Sequence, residues 1–261
     1  MDNATVHGLI ALNNRFYAEH AASFSATRNA PWEGWTELVH ELESQGWLKE
    51  RQRASVLDLA CGNLRFERFL AGALSEFDLR FDAVDSCAEL ACCAEDPHVT
   101  YRQLDILDAL MRDRSEPFTF TDTPYDLVVC FGFMHHVPGT ALRKRLLDAL
   151  CDAAVPGGII VISFWQFMND ERLARKAQTA DASACTCPPF PGFSPAALES
   201  SDHFLGWQQD PAPLRYCHHF DKAEIDELVA YAEPRAFERV RWSADGASGT
   251  LNRYLMLERK P

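Results

Sequence analysis

The amino-acid sequence predicts an α/β fold in which a seven-stranded, mainly parallel sheet carries helices on both of its faces. Short apolar segments alternate with amphipathic ones between residues 55 and 164, which is typical of strands joined by crossover helices. Such crossovers are right-handed and connect parallel strands. Two strand-like segments near the end of the chain, 235–242 and 249–258, bring the number of predicted strands to seven.

Two helices are expected ahead of the first strand. Apolar residues recur at near-helical spacing over residues 3–28, and Asn29-Ala-Pro31 ends that pattern. Pro31 suits the first turn of a second helix, over 31–48, whose apolar stripe is rich in tryptophan. We therefore assign residues 1–50 to an N-terminal helical segment.

The core, residues 55–164, is predicted to alternate strictly between strand and helix. The expected strands are residues 55–60, 80–85, 99–102, 125–131 and 159–164. The expected helices are residues 64–74, 87–94 and 140–154, and residues 105–114 form either a helix or a loop. The last of these helices is stopped by Pro156-Gly-Gly158.

Residues 165–220 interrupt this alternation. They hold the runs Pro188-Pro-Phe-Pro-Gly-Phe-Ser-Pro195 and Pro211-Ala-Pro213. Because long loops of this kind are usually functional, we expect an irregular cap inserted over the ligand site. The alternation resumes at Asp221, which is placed to cap a helix over residues 222–231.

The bulk composition favours one globular domain over residues 1–261, in which 221–261 supply the closing helix and strands. A chain of 261 residues can bury a large core without staples. Its net charge of −13 repels polyanions at long range, so unaided nucleic-acid binding is disfavoured and DNA is not an expected partner. No stretch approaches the roughly eighteen apolar residues of a membrane span, so no membrane partner is expected.

Nine cysteines bear on the compartment and on metal binding. Their odd number and their apolar surroundings favour free thiols in a reducing compartment, and the N-terminus has no signal segment, so we expect a cytoplasmic protein. Cys185-Thr-Cys187 and Cys217-His218 could together hold zinc. However, Cys-x-Cys is not the usual knuckle spacing, so we favour free thiols and expect no metal site.

Acidic side chains end three successive strands of the predicted sheet. In open α/β sheets, ligands bind beyond the carboxyl ends of the strands. The turn after the first strand holds Asp58 and Gly62, and Gly62 lets the backbone approach a ligand closely. Asp85 follows Gly62 by 23 residues (85 − 62), close to the roughly 20 expected for a carboxylate that binds ribose. Asp105 ends the third strand, where an adenine could be met.

The turn at Gly62 could instead bind a pyrophosphate or bind nothing. The sequence supports both of these possibilities less well than a site for a nucleoside. A loop that cradles pyrophosphate needs the full Gly-x-Gly-x-x-Gly pattern, and this turn has one glycine and no following lysine. An ordinary tight turn that binds nothing would account for Gly62 alone. It would not account for Asp58, Asp85 and Asp105 together, so we favour a nucleoside-containing ligand.

These residues resemble the motifs of class I methyltransferases, which have a Rossmann-like fold. Val56-Leu-Asp-Leu-Ala-Cys-Gly-Asn63 is similar to their first motif, Asp-x-Gly-x-Gly-x-Gly. Ala83-Val-Asp85-Ser resembles the acidic second motif, and Tyr125-Asp-Leu-Val-Val-Cys130 resembles the motif of the fourth strand. Ala60 and Leu64 stand where the family has glycine.

The resemblance implies an S-adenosyl-L-methionine-dependent methyltransferase with a defined set of cofactor-binding residues. Carried over motif by motif, these residues are Tyr17, Asp58, Ala60, Gly62, Asn63, Asp85, Ser86, Asp105, Ile106 and Cys130. A cofactor-binding subunit without activity is the less favoured alternative, because Asp58, Gly62, Asp85 and Asp105 are all retained.

Two segments that flank the core indicate the class of methyl acceptor. Phe24-Ser-Ala-Thr-Arg28 and Leu214-Arg-Tyr-Cys-His-His-Phe220 resemble segments of tRNA wobble-uridine methyltransferases, which esterify a carboxymethyl group on the uridine. The resemblance implies that tRNA is the acceptor, that a small activator protein is a possible partner, and that Arg28, His136, Arg215 and His218 are catalytic. Arginine can hold a carboxylate acceptor through two parallel hydrogen bonds.

Each of these four residues also has a simpler interpretation. Arg28 suits the end of a helix, where a cation meets the negative end of the dipole. His136 could be a core histidine, and Arg215 and His218 could belong to a strand that leads to the helix at Asp221. The alternative function is methylation of a small molecule with an apolar body that binds under the 165–220 cap, which the acidic net charge favours.

Overall fold

The computed structural model describes residues 1–27, 29–49, 51–91, 96–112, 123–208 and 210–261. Nine strands are described within these ranges: β1 (Arg53–Leu59), β2 (Asp78–Asp85), β3 (Val99–Gln103), β4 (Tyr125–Cys130), β5 (Ala154–Trp165), β6 (Asp202–Trp207), β7 (Asp210–His218), β8 (Ala236–Ala244) and β9 (Asn252–Arg259). The α-helices described are α1 (Asn3–Ala26), α2 (Glu33–Ser44), α3 (Arg65–Ala73), α4 (Ala88–Ala91), α5 (Ile106–Arg112), α6 (Thr140–Ala153), α7 (Glu171–Thr186) and α8 (Lys222–Ala232).

Seven of these strands form one sheet in the order β3-β2-β1-β4-β5-β9-β8. The first five are parallel to one another, and β9 runs antiparallel to both of its neighbours. The predicted seven-stranded, mainly parallel sheet is confirmed, as is the closing hairpin of β8 and β9. After β3 the chain crosses over β1 to enter β4, so the strand order reverses between β1 and β4. Ligands bind at such a reversal, beyond the carboxyl ends of the strands.

Both faces of the sheet are covered by helices, because its central strands alternate two sets of apolar side chains. Leu57 and Leu59 of β1 join a buried cluster with α5, α6 and α8, whereas Val56 faces α2 and α3. The strands of a parallel sheet are apolar along nearly their whole length, because successive side chains are buried on opposite faces of the sheet. The first turns of α1 pack into the same cluster as α5 and α6.

The expectation of an irregular cap over residues 165–220 is wrong in most of its length. β5 runs on to Trp165, and α7 and the antiparallel pair of β6 and β7 fill the rest of the segment apart from its connections. Asp170 starts α7 by accepting a hydrogen bond from the Leu173 amide. The proline runs misled the prediction, because the first lies in a connection between elements and the second begins an edge strand, where proline is tolerated.

The N-terminal helix is attached to this cap. Leu9 and Leu12 of α1 pack against Phe204 of β6 and Tyr216 of β7. Asn13 accepts a hydrogen bond from the Tyr216 amide (2.7 Å) and donates one to the Tyr216 carbonyl oxygen (3.1 Å). The Asn13 side chain therefore pairs with β7 as a neighbouring strand would, which ties α1 to the cap.

Candidate active site

A cavity of about 490 Å³ lies at the carboxyl ends of β1, β2 and β4, where the strand order reverses. This volume is within the range of sites for small ligands and cofactors. Nine of the ten predicted cofactor-binding residues line it, namely Tyr17, Asp58, Ala60, Gly62, Asn63, Asp85, Ser86, Asp105 and Ile106.

The turn between β1 and α3 has an unusual backbone for its sequence. Ala60, Gly62 and Leu64 have φ angles of 66°, 56° and 57°, in the left-handed region that favours glycine. Ala60 and Leu64 are the two positions where the family pattern has glycine, so the turn keeps the backbone that glycines would give it. No atom lies within 4 Å of a Cβ built on Gly62, so the backbone there is open to a ligand.

Asp85 ends β2 beside this turn. One carboxylate oxygen accepts the Gly62 amide (2.9 Å), and the other accepts the Cys87 amide (2.8 Å). A carboxylate has about four acceptor positions, so two remain for the hydroxyl groups of a ribose. Burial raises the pKa of Asp85, against the effect of the backbone donors.

Asp105 follows β3 and begins α5. Its Oδ1 accepts the Asp108 amide (2.9 Å), and its Oδ2 accepts Nδ2 of Asn14 (2.6 Å). Ile106 and Leu107 line the cavity next to it and offer an apolar surface to a flat ring. The carboxylate and this surface together fit an adenine with its exocyclic amine.

Cys130 is the exception among the ten residues. It is fully buried at the end of β4 and packs with the apolar cluster on the α6 side of the sheet. The next residue, Phe131, lines the cavity instead. A step of one residue along a strand reverses the face on which a side chain lies, which is why Cys130 packs in the core and Phe131 lines the cavity.

The residues present fit S-adenosyl-L-methionine on observations of this structure. The open backbone at Gly62, the spare acceptor capacity of Asp85 and the apolar surface beside Asp105 suit an adenosine. Asp58 is buried and lines the cavity, and its Oδ1 has no hydrogen-bond partner, which leaves an acceptor for a cationic donor.

A second group of side chains faces the same cavity from α1, the segment after β4, the end of β5, and β7. The phenol oxygen of Tyr17 lies 2.8 Å from Nε2 of His136, and Nδ1 of His136 lies 2.9 Å from the Tyr216 carbonyl oxygen. The Tyr17 carbonyl oxygen lies 3.8 Å from the Cys87 thiol, next to Asp85. Tyr17 therefore spans the predicted cofactor residues and the predicted catalytic ones.

Burial governs the protonation of His136. Together with the nearby positive charge of Arg215, burial lowers the pKa of this imidazole to about 3, against the hydrogen bond to Tyr216. The ring is therefore neutral at physiological pH. His136 is placed to orient Tyr17 and not to accept a proton from an acceptor.

Arg215 lies on β7 with 8% of its surface exposed, and it lines the cavity. Its guanidinium carbon is 5.3 Å, 5.7 Å and 5.5 Å from the ring centres of Phe16, Trp165 and Trp207. It forms no ion pair with any residue that the structure describes, and its Nε has no hydrogen-bond partner there. Arg215 is thus a buried cation held by aromatic faces.

The other two predicted catalytic residues do not join this group. Arg28 lies outside the described residues. His218 does not line the cavity: it is buried between Asp202 and Glu224, each 2.6 Å from one of its ring nitrogens. Alternate residues of β7 lie on opposite faces, so Tyr216 and His218 pack away from the face that carries Arg215.

Several residues of the site went unpredicted, although some had a signal. Asn13 precedes Tyr17 by one helical turn, so the two share a face of α1. Trp165 stands at the end of β5, the position that identified Asp85 and Asp105. His135 packs its ring 4.8 Å from that of Trp165. Trp207 had no such signal, because its position depends on the pairing of β6 with β7.

Two groups of side chains have the donor types of a metal site. His135, His136 and Cys217 form one, and Glu199, Asp202 and His218 the other; within each, the candidate ligand atoms lie within 4.8 Å of one another. Arg215 lies against the Cys217 thiol in the first group, and the Arg143 guanidinium pairs with Glu199 in the second. These cations oppose metal binding. Cys185 and Cys187 are exposed whereas Cys217 is buried, so the zinc set considered from sequence does not converge.

Comparisons with known proteins agree with this geometry. The sequence over residues 26–232 matches the family model described as "Methyltransferase domain". No curated protein matches the sequence. In the described part of the chain, no helix has the length and apolarity that crossing a bilayer requires.

Solved structures share the fold. The Burkholderia thailandensis 1,6-didemethyltoxoflavin-N1-methyltransferase, solved with its substrate and S-adenosylhomocysteine, is 15% identical with a TM-score of 0.60, over 98% of this chain and 90% of that one. The DhpI–SAM–HEP complex is 20% identical with a TM-score of 0.59, over 96% and 98%. A Methanosarcina mazei SAM-dependent methyltransferase is 15% identical with a TM-score of 0.56, over 80% and 93%.

The predicted resemblance to class I methyltransferases is confirmed by these matches, whereas the finer resemblance to tRNA wobble-uridine enzymes finds no support in them. The family model covers most of the chain, and solved SAM-dependent methyltransferases share its fold. The chain therefore belongs to the methyltransferase domain family, and it is an S-adenosyl-L-methionine-dependent methyltransferase.

Proposed function

We propose that this methyltransferase esterifies a carboxylate, or a similar oxyanion, on a small molecule that binds under the cap beside Arg215. The observation that supports the proposal is the buried guanidinium of Arg215, which faces the cavity without an acidic partner among the described residues. Burying an ion without a counter-charge costs several kcal/mol, and an anionic acceptor would remove that cost.

The surroundings of Arg215 favour an anion from the acceptor over one from the protein. Aromatic faces stabilise the guanidinium but do not neutralise it. The Cys217 thiol touches Arg215, but burial raises the pKa of Cys217 to about 12, so the thiol carries no charge at neutral pH. The positive charge of Arg215 is therefore not neutralised by its neighbours, and it suits a carboxylate.

The chemistry requires alignment and charge control more than a base. When bound, S-adenosyl-L-methionine supplies an electrophilic methyl group on a sulfonium. A carboxylate is already a nucleophile, so a neutral His136 is sufficient. Arg215 would hold the carboxylate while one of its oxygens takes the methyl group, and the electron pair of the broken carbon–sulfur bond would stay on sulfur. The ester is uncharged and loses its ion pair with Arg215, which favours its release.

A small molecule fits the site better than a tRNA does. Arg215 is almost fully buried behind Trp165 and Trp207, and the chain carries a net charge of −13. A wobble carboxymethyl group shares the same carboxylate chemistry, so tRNA is the second candidate, and a small activator protein would then be a source of phosphate contacts. Which acceptor receives a labelled methyl group decides between the two.

The test is incubation of the purified chain with methyl-labelled cofactor and three kinds of acceptor: small aromatic and aliphatic carboxylic acids, the matching amides, and total tRNA. We expect label in the acids, none in the amides, and release of the label as methanol by mild base, which is the behaviour of a methyl ester. Label that resists base, or that enters the amides equally, would contradict the proposal. Base-labile label in tRNA alone would support the second candidate.

The matched variants are Arg215→Met and Arg172→Met. Arg172 is an exposed arginine of α7. Removing one partner of a buried charge pair costs about 2–5 kcal/mol, so Arg215→Met should lower kcat/KM for an acid acceptor by about 30-fold or more. The affinity for S-adenosylhomocysteine, measured by calorimetry, should stay near that of the unmodified protein in both variants. Unchanged kcat/KM in Arg215→Met would contradict the anion site.

A further inference from the structure

The buried carboxyl groups of Asp58 and Glu67 lie within hydrogen-bond reach of each other next to the turn between β1 and α3. Asp58 lies on β1 with 2% of its surface exposed, and Glu67 lies on the first turn of α3 with 1% exposed. Glu67 shares the inner face of α3 with Phe66 and Leu70, which pack on the sheet face that carries Val56. The packing of α3 on the sheet therefore places Glu67 next to Asp58, the acid of the first motif.

Few neighbouring groups would stabilise a negative charge on these two carboxyl groups. Apart from the contact between the two carboxyl groups, Oδ1 of Asp58 and both carboxyl oxygens of Glu67 have no hydrogen-bond partner. Asp85 adds further negative charge to both, whereas Arg65 acts on Asp58 and Arg68 on Glu67. Two adjacent buried carboxyl groups cannot both ionise at moderate cost, as in the paired carboxyl groups of acid proteases.

Only one of the two carboxyl groups reaches the cavity. Asp58 lines the cavity, whereas Glu67 does not. Any ligand that places a positive charge against Asp58 would favour the ionised pair. S-adenosyl-L-methionine and S-adenosylhomocysteine both carry an ammonium group, and 5′-methylthioadenosine shares their nucleoside and sulfur but has no cation.

We propose that Asp58 and Glu67 share one proton in the ligand-free protein, and that binding of a ligand ammonium group at Asp58 releases it. Glu67 is then a positioning residue that acts through Asp58 and makes cofactor affinity depend on pH. The inference depends on the cofactor of the family and not on the proposed acceptor, so a failure of one leaves the other standing.

The protonation of the surrounding groups supports this inference. Burial, the Glu67 charge and the Asp85 charge raise the pKa of Asp58 well above its usual range, and burial raises the pKa of Glu67 to about 7. The Cys61 and Cys130 thiols nearby have pKa values raised by burial and by the Asp58 charge, so they stay protonated and do not supply the proton. The released proton therefore comes from the carboxyl pair.

The decisive measurement is the number of protons exchanged on binding, obtained by titration calorimetry in two buffers that differ in ionisation enthalpy. S-adenosylhomocysteine should release close to one proton just below neutral pH, and its affinity should fall by up to about tenfold for each pH unit below the pKa of the pair. 5′-Methylthioadenosine should release none. Release of no proton by S-adenosylhomocysteine, or equal release by both ligands, would overturn the inference without any variant.

A pair of variants assigns the proton to the carboxyl pair. Glu67→Gln keeps the shape of the side chain but cannot ionise, and its amide can donate to Asp58, so Asp58 should stay ionised. Proton release should be lost, and S-adenosylhomocysteine affinity should become nearly independent of pH. Glu76→Gln, at an exposed acid beyond the end of α3, should behave as the unmodified protein does. Unchanged proton release in Glu67→Gln would place the proton elsewhere and refute the role of Glu67.

Discussion

Tyr17 and His136 are hydrogen-bonded, with the phenol oxygen 2.8 Å from Nε2, and Nδ1 of the same ring lies 2.9 Å from the Tyr216 carbonyl oxygen. A carbonyl oxygen only accepts, so we assign the hydrogen to Nδ1; Nδ2 of Asn13, 3.1 Å from Nδ1, then donates to the same carbonyl oxygen and not to the ring. Nε2 is then an acceptor, and the Tyr17 phenol at 2.8 Å supplies its proton. The N-terminal helix and β7 therefore fix the tautomer of a histidine that the sequence motifs placed among the catalytic residues.

The first prediction concerns the titration of His136. Nitrogen-15 NMR of the imidazole should show a neutral ring with hydrogen on Nδ1 throughout the physiological range, and protonation only near the pKa of about 3. The group is buried in its neutral form, so the unfolded state binds the extra proton and the fold loses stability as pH falls from about 6.5 towards about 3. His136→Asn identifies the resonance. Hydrogen on Nε2 would contradict the assigned tautomer, and a midpoint near the ordinary histidine pKa of about 6.5 would contradict the neutral state and permit a role as general base.

The second prediction concerns the strained turn. Ala60 is half-buried and has a φ of 66°, which costs about 1 kcal/mol relative to glycine. Ala60→Gly should therefore stabilise the fold by roughly this amount in urea unfolding. Leu64→Gly should relieve similar strain at a φ of 57° but lose a buried leucine side chain worth about 2 kcal/mol or more, so it should destabilise. Destabilisation by Ala60→Gly would show that the turn is not strained.

The third prediction separates two neighbouring asparagines. Asn13 is buried and makes two hydrogen bonds to the backbone of Tyr216, and Asn13→Ala leaves the Tyr216 amide unpaired, whereas His136 still donates to the Tyr216 carbonyl oxygen. The loss of the partner of a buried amide costs about 1–3 kcal/mol. Asn14 bonds to Asp105 at an exposed position, and Asn14→Ala should cost less than about 1 kcal/mol in the same unfolding experiment. Equal effects would show that Asn13 does not anchor α1 to β7.

Much of the cofactor end of the site could be predicted from sequence, because it depends on strand order. Asp58, Asp85 and Asp105 each follow a parallel strand, and the carboxyl ends of neighbouring parallel strands meet at one edge. No knowledge of side-chain packing was needed. The same rule failed for Cys130, since whether a residue at the strand end faces the ligand or the core is decided by a single step along the chain.

The part of the site around Arg215 could not be predicted in the same detail, because its residues come from segments that are far apart in the sequence. Arg215 and His218 lie three positions apart in one motif, and alternation along β7 places them in different environments. Only the packing of β7 against α1 shows that Arg215 faces the cavity. Trp207 joins Arg215 through the pairing of β6 with β7, for which the sequence over 165–220 held no clear pattern.

His218 itself leads to the last prediction, because the structure gives it a different role. Its two ring nitrogens contact Asp202 and Glu224 at 2.6 Å, which identifies it as a doubly hydrogen-bonded imidazolium. Burial alone would lower the pKa of His218, but these two hydrogen bonds raise it above its ordinary value. The Arg143 guanidinium pairs with Glu199 and Glu224 in the same buried network, which joins α6, α8 and the cap.

The sign of the pH effect follows from that shift. A histidine whose folded-state pKa is raised contributes stability that is fully present below its unfolded pKa of about 6.5 and is lost as pH rises through the folded value. Glu199, whose pKa is lowered, is ionised in both states above neutral pH and adds no slope there. His218→Gln should thus destabilise by about 3–5 kcal/mol at mildly acid pH and by less at about pH 8.5.

Urea unfolding of the unmodified protein and of His218→Gln at these two pH values measures the difference directly. The loss of unfolding free energy caused by the substitution should shrink as pH rises, because the imidazolium is lost from the unmodified protein as well. His40→Gln, at an exposed histidine of α2, supplies the control and should change stability by less than about 0.5 kcal/mol at either pH. A loss that is equal at both pH values would mean that His218 is neutral in the fold, and that the network is held by Arg143 alone.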